Sequence, residues 1–177
     1  RIKDATPHPA TPPPPALDAL PALLDIETGV ETHTAAAEAD LRVRVAGFGG
    51  QGVLMLGEVL AEAGLDAGLE VSWLPSYGPE MRSGTSNCHI RVSHKPVDSP
   101  LVARPNILLA LNEPSLEKFL PIVEPGGWVL YNGEHPPSGL AMRTDVHMLA
   151  VPCTQLADSL KAPRTANIVM LGALQEA

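Results

Sequence analysis

The sequence predicts a doubly wound α/β domain with a mostly parallel sheet, preceded by an extended arm. Three observations carry that prediction. Strand-like and helix-like patterns alternate from Leu41 onward, as a sheet with helical crossovers requires. The run Asn106-Ile-Leu-Leu-Ala-Leu111 is apolar without interruption after its first residue, as a central strand buried on both faces must be. A glycine-rich loop, Gly47-Phe-Gly-Gly-Gln-Gly52, stands between an alternating strand and an amphipathic helix.

The arm comes first, over residues 1–40, with the domain over residues 41–177. Seven of the chain's 19 prolines fall between Pro7 and Pro21, including Pro12-Pro13-Pro14-Pro15, a composition that favours an extended, semi-rigid segment. Seven acidic residues face two basic ones from Arg1 to Asp40, so most of the net charge of −8 sits here. Leu17, Leu20, Leu23 and Leu24 read as apolar residues in a linker. A chain that starts at Arg1 with a proline-rich arm suggests a hinge to something upstream.

In the domain, Leu41–Ala46 alternates as a strand, and Val53 to Ala67 places Val53, Leu56, Val59, Leu60 and Ala63 at helical spacing, ending near Gly64 and Gly68. Glu70–Leu74 is the next strand. Pro75–Thr85 is too irregular for either period. Ser86–Ser93 alternates as a half-buried strand, and His94–Pro105, with three prolines, is a loop. After the apolar strand Asn106–Leu111, Ser115 is placed to N-cap a helix over Leu116–Ile122. Gly126-Gly127 precedes a strand at Trp128–Tyr131. Val146–Val151 is a further strand, Thr154–Leu160 a helix, and Asn167–Leu174 a last helix that looks cut short.

The domain carries ten basic and thirteen acidic residues, a balance that disfavours nucleic acid and membrane surfaces as partners. Nothing approaches the length of a membrane-spanning helix. Cys88 and Cys153 show no metal-ligand or C-x-x-C spacing and read as small buried hydrophobes in a reducing, cytoplasmic compartment. The six histidines show no paired spacing, so no metal or iron–sulfur cluster is expected on this chain. No nucleophile–base triad assembles either; His89 points to the opposite side of its strand from Cys88.

The glycine loop has the spacing G-x-G-x-x-G through Gly47, Gly49 and Gly52. After a strand and before a helix, this Rossmann-like order gathers backbone N–H groups around a volume that suits a pyrophosphate. Gly47, Gly49, Gly50, Gln51 and Gly52 are the candidate cradle. A nicotinamide dinucleotide would call for an acid at the end of the second strand, where Trp73-Leu74-Pro75 stands instead. An NAD(P)-dependent dehydrogenase is therefore the weaker alternative. The glycines could also serve only a tight turn and close packing. The loop after the second strand supplies Arg82, with Ser83 and Thr85, as a candidate clamp for phosphate or carboxylate; the other reading pairs Glu80 with Arg82 to brace the loop or meet a partner chain.

Two runs, Gly47-Phe-Gly-Gly-Gln-Gly-Val53 and Trp73-Leu-Pro-Ser-Tyr-Gly-Pro-Glu-Met-Arg-Ser-Gly-Thr-Ser-Asn-Cys88, together resemble the gamma subunit or domain of the 2-oxoacid:ferredoxin (acceptor) oxidoreductases. Asn106–Ser115 and Ala166–Ala173 add to the likeness, which covers Leu41 to the end. The wording of the second run is closer to 2-oxoglutarate and branched-chain members than to indolepyruvate ones. The resemblance implies an enzyme that decarboxylates a 2-oxoacid on thiamine diphosphate, passes electrons through iron–sulfur clusters and releases an acyl-coenzyme A. It implies that thiamine diphosphate, magnesium and the clusters lie on partner chains: alpha, beta and ferredoxin-like subunits or domains. The gamma domain would then serve assembly and the coenzyme A side of the site, with no catalytic residue of its own. A purely structural assembly module is the alternative within this family. Ser83 stands where the family often has glycine, and the family domain normally continues past Ala173, so the C-terminus is expected to be truncated.

Overall fold

Asp40–Phe48 forms β1 because its alternation serves two faces at once. Val43 and Val45 turn into one apolar cluster, while Ala46 enters the other. The structure is a computed structural model that describes residues 40–76, 85–141 and 143–177, all within the unit Ala36–Ala177. The expectations placed on residues 1–39 and on residues 77–84, Arg82 and Ser83 among them, lie outside the described residues.

After β1 come α1 (Val53–Asp66), β2 (Glu70–Ser76), β3 (Thr85–Ser93), β4 (Ile107–Ala110), α2 (Glu113–Phe119) and a 3-10 turn (Leu120–Ile122). β5 (Trp128–Asn132), β6 (His147–Val151), α3 (Cys153–Ser159) and α4 (Ala166–Glu176) complete the order. The six strands form one sheet in the order β2-β3-β1-β4-β5-β6. β1, β4, β5 and β6 pair in parallel, whereas β3 runs antiparallel to both β1 and β2. The reason is chain length. The residues 77–84 between β2 and β3 are too few for a parallel crossover, which needs a dozen or more. Because β1 and β2 are both antiparallel to β3, they point the same way, and Thr85 lies opposite Phe48. Pro75 is tolerated because β2 is an edge strand.

Helices cover both faces. Val45, Leu56, Ile90, Leu109, Leu130 and Met170 join one core, beneath α1 and α4. Leu108, Leu116, Phe119, Val129 and Tyr131 build the other, beneath α2. The buried face of α1 is Val53, Leu56, Gly57, Ala61 and Gly64; Val59 and Ala63, expected inside, are exposed. The helix turns its glycines to the sheet so that it can approach closely. A Cβ on Gly57 would stand 2.5 Å from Cys88 Sγ and 2.9 Å from Trp73 Nε1. Gly68, at φ +74°, then ends α1: its N–H donates to Leu65 O, and the Leu69 N–H donates to Gly64 O.

β3 is buried nearly throughout rather than half-buried. The segment after it folds back, and the Val102 N–H donates to His89 Nδ1 at 2.9 Å. Arg44, from β1, lies beside the same ring, donates to Val102 O and stacks over Phe119 at 4.8 Å. The helix expected from Leu116 begins at Glu113 instead. Asn112 is its N-cap, accepting from the Ser115 N–H at 2.9 Å, with Pro114 in the first turn where its missing N–H costs nothing. Ser115 is thus inside the helix, not its cap. Cys88 and Cys153 are free, buried thiols, each pushed up to about 11 chiefly by burial.

Candidate functional site at the glycine loop

β1 runs on through Phe48, so Gly47 belongs to the strand rather than to the loop. The chain then reverses in a turn closed by the Gln51 N–H donating to Phe48 O at 3.2 Å. Gly50 takes φ +87°, as the third position of a type II turn requires. Gly52, at φ +76° and ψ 24°, is left-handed and N-caps α1 without any side-chain cap. The first turn of a fourteen-residue helix therefore opens at the carboxyl edge of β1 with its N–H groups uncapped by side chains.

The glycines divide by role. A Cβ on Gly47 would meet Val53 Cγ2 at 2.8 Å and Leu111 Cβ at 3.0 Å, and one on Gly52 would run into the Asn167 amide. These two are packing glycines. Gly49 and Gly50 have nothing within 4 Å of an added Cβ, so they leave the backbone open to a ligand. The packing reading and the cradle reading each hold for part of the loop.

Gln51 braces the loop. Its Oε1 accepts from the Phe48 N–H at 2.6 Å and from Asn112 Nδ2 at 2.8 Å, and its Nε2 donates to Leu111 O at 3.1 Å. It thereby ties the end of β1 to the end of β4, and its own N–H is held by Phe48 O. This tie lies where the strand order reverses: β1 leads through α1 on one face, β4 through α2 on the other. Open α/β sheets bind ligands at such a switch point.

Beside the loop is a cleft of about 210 Å³ lined by Gly50, Gln51, Asn132, Thr154, Arg164 and Ala166 among others. Asn132, at the end of β5, holds its wall: Nδ2 donates to Thr154 Oγ1 at 2.9 Å, and Oδ1 accepts the Thr154 N–H at 3.2 Å. Arg164 is exposed and brings a permanent positive charge to the cleft. Thr85 reaches the same sheet edge, opposite Phe48, but among the described residues its buried hydroxyl has no hydrogen-bond partner, and it does not line this cleft.

Sequence reasoning passed over Arg164, Asn112, Asn132 and Asn167. Asn112 and Asn132 follow apolar strand runs, a position that always faces the carboxyl edge of a parallel sheet, and that signal was readable. Arg164 had no local signal. The strand beside β1 is β3, which starts at this edge with Thr85-Ser86-Asn87. None of these three is an acid, so among the described residues this edge offers no carboxylate of the kind a nicotinamide dinucleotide's ribose calls for. Among the described residues no group of three or more His, Cys, Asp and Glu could hold a metal ion, and no helix is long and apolar enough to cross a membrane.

Residues 42–177 match the family model described as pyruvate ferredoxin/flavodoxin oxidoreductase. The chain is 45% identical over 136 residues to the ketoisovalerate oxidoreductase subunit VorA of Methanothermobacter thermautotrophicus, covering 76% of this chain and 28% of that subunit. It is 38% identical over 134 residues to the 2-oxoglutarate synthase subunit KorC of Methanocaldococcus jannaschii, covering 75% and 72%. Its fold is similar to that of the 2-oxoglutarate:ferredoxin oxidoreductase of Magnetococcus marinus, solved with 2-oxoglutarate, coenzyme A and succinyl-CoA bound. That likeness has a TM-score of 0.68 at 30% identity, over 77% of this chain and 24% of that one. This chain therefore spans little more than a quarter of VorA, and less of the Magnetococcus enzyme. With the matched model reaching over 42–177, from the second residue of the expected domain to the last of the chain, it belongs to the pyruvate ferredoxin/flavodoxin oxidoreductase family.

Proposed function

We propose that this chain is the gamma component of a thiamine-diphosphate-dependent, CoA-acylating 2-oxoacid:ferredoxin oxidoreductase. Its part in the enzyme is assembly and the coenzyme A side of the site. The observation that carries the reading is the open backbone at Gly49 and Gly50, beside an uncapped helix N-terminus and Arg164, at the switch point of the sheet. A pyrophosphate fits that chemistry: N–H donors and a positive dipole end meet one diphosphate, and an arginine reaches the same cleft. The bound coenzyme A of the Magnetococcus relative supports the choice of ligand.

On this reading thiamine diphosphate, magnesium and the iron–sulfur clusters sit on alpha, beta and ferredoxin-like partner subunits or domains, in the cytoplasm. Residues 1–40 act as an arm to the domain at 41–177. Arg82, with Ser83 and Thr85, is the candidate charge clamp of this reading, Arg82 and Ser83 lying outside the described residues.

Gly49→Ala tests the cradle without disturbing the fold. The added methyl meets nothing within 4 Å, and Gly49 is not at positive φ. In the intact complex the variant is expected to raise KM for coenzyme A about tenfold, the equivalent of roughly 1.4 kcal/mol, with the KM for the 2-oxoacid unchanged. Unchanged coenzyme A kinetics would leave the second reading, a module that only holds the thiamine-binding chains together.

A further inference from the structure

At the amino edge of the sheet, the other end of β1 from the glycine loop, Arg42 of β1 stands directly opposite Arg91 of β3. Like charges across a strand pair repel and weaken the sheet, so carboxylates must hold such a pair together. Glu124 takes Arg42 in a two-pronged pair at 2.6 and 2.9 Å. Asp40 is shared, 3.3 Å from Arg42 Nε and 3.3 Å from Arg91 Nη2. Arg91 is left with that long contact and a bond of 3.4 Å to Ser99 O, whereas a charge-assisted bond is ordinarily about 2.7–2.9 Å. Its Nε is buried with no hydrogen-bond partner among the described residues.

Asp40, Arg42 and Arg91 line an open hollow of about 320 Å³ together with Leu101 and Arg104 among others. Arg104 is exposed, and among the described residues it makes no hydrogen bond or ion pair. Three guanidiniums thus meet one lining carboxylate, on a domain whose acids outnumber its bases thirteen to ten. A weakly held arginine and an unpaired one in the same hollow are complementary to an incoming carboxylate, which would also relieve the repulsion between Arg42 and Arg91. The hollow is open rather than enclosed, and Leu101 stands 57% exposed in its lining. Both features suit a protein segment better than a small metabolite, which needs enclosure. We propose that this hollow docks an acidic surface segment of a partner subunit of the same enzyme, with a carboxylate entering between Arg91 and Arg104. The proposal rests on the reading of this chain as one component of a multi-subunit enzyme. Because the hollow and the glycine loop lie at opposite ends of β1, this partner and a ligand at the loop can be held at once.

The test follows the association of the full chain with the purified thiamine-binding subunits, at about 0.05 M and about 0.5 M salt. Exposed ion pairs act on the rate of encounter more than on final affinity, and salt screens them. Arg104→Glu alters only an exposed, unpartnered side chain, so it is expected to fold. It should slow association about tenfold at the lower salt and less than about twofold at the higher, and Arg104→Lys should keep most of the rate. Lys161→Glu makes the same change in net charge at an exposed residue that lines neither the hollow nor the cleft beside the glycine loop, and should leave association unchanged. Association of the unaltered chain with no slowing by Arg104→Glu, or with equal slowing by Arg104→Glu and Lys161→Glu, overturns the proposal alone. If the unaltered chain does not associate with those subunits, its reading as a component of the enzyme falls, and the proposal falls with it.

Discussion

Gly52→Ala is expected to lower the unfolding free energy by about 3 kcal/mol, whereas Gly49→Ala, three residues earlier in the same loop, should change it by less than about 0.5 kcal/mol. Two costs add at Gly52. Its φ of +76° lies in the left-handed region, where a Cβ costs about 1–2 kcal/mol. The new methyl would also strike the Asn167 amide, which is 2% exposed and donates to Gly52 O at 3.4 Å. Moving a packed, buried amide off its carbonyl costs about 1–3 kcal/mol more. Gly49 has neither constraint. Denaturant unfolding of the full chain measures both variants, and equal losses at the two positions would contradict the division of the loop into packing and open glycines.

Acid should weaken the fold well before most carboxylates titrate. Burial first, and then the guanidinium of Arg44, push the His89 imidazole from 6.5 down to about 4. The geometry agrees. Nδ1 needs its lone pair to accept the Val102 N–H, and Arg44 Nη2 lies 3.0 Å from that same nitrogen. A histidine whose pKa is depressed on folding is neutral in the native state while the unfolded chain takes up a proton. Stability is therefore full above about 6.5, declines as pH falls toward 4, and loses nothing further from this group below that. Between pH 6.5 and about pH 5 the expected loss is about 2 kcal/mol. His89→Gln, whose amide oxygen can still accept the Val102 N–H, should flatten that slope. Equal slopes for the two proteins over this range would show that His89 is not held neutral by the fold.

Most of the architecture was legible because hydrophobic period reports burial directly. The continuous apolar run at Ile107–Leu111 identified a central strand, and every strand expected in the domain is present within two residues. What failed was decided by neighbours. The alternation of Ser86–Ser93 reads as a strand with one wet face, and only the return of Val102 over His89 dries the other. The face of α1 was misjudged because the reading counted large apolar residues, whereas close approach to the sheet favours Gly57 and Gly64. The orientation of β3 could have been reached from its short connection to β2.

The candidate site was legible in its backbone and not in its side chains. Glycines announce turn and approach through their spacing, so the turn at Gly47–Gly52 could be named in advance. The division into packing glycines (Gly47, Gly52) and open ones (Gly49, Gly50) depends on Val53, Leu111 and Asn167, the last of them far away in the chain. Gln51 was named with the candidate cradle from its place in the loop, and nothing local announced that its side chain ties β1 to β4. The family resemblance read from the two motifs is borne out by the match over 42–177.

Hydrogen exchange on the intact complex, with and without coenzyme A, tests the central claim most directly. The account predicts slowed exchange at the amides of Gly49 through Met55, where the loop and the first turn of α1 meet the cleft, and no comparable change at the amino ends of β1 and β4. Coenzyme A that binds the complex and leaves those amides exchanging at their free rate would contradict it.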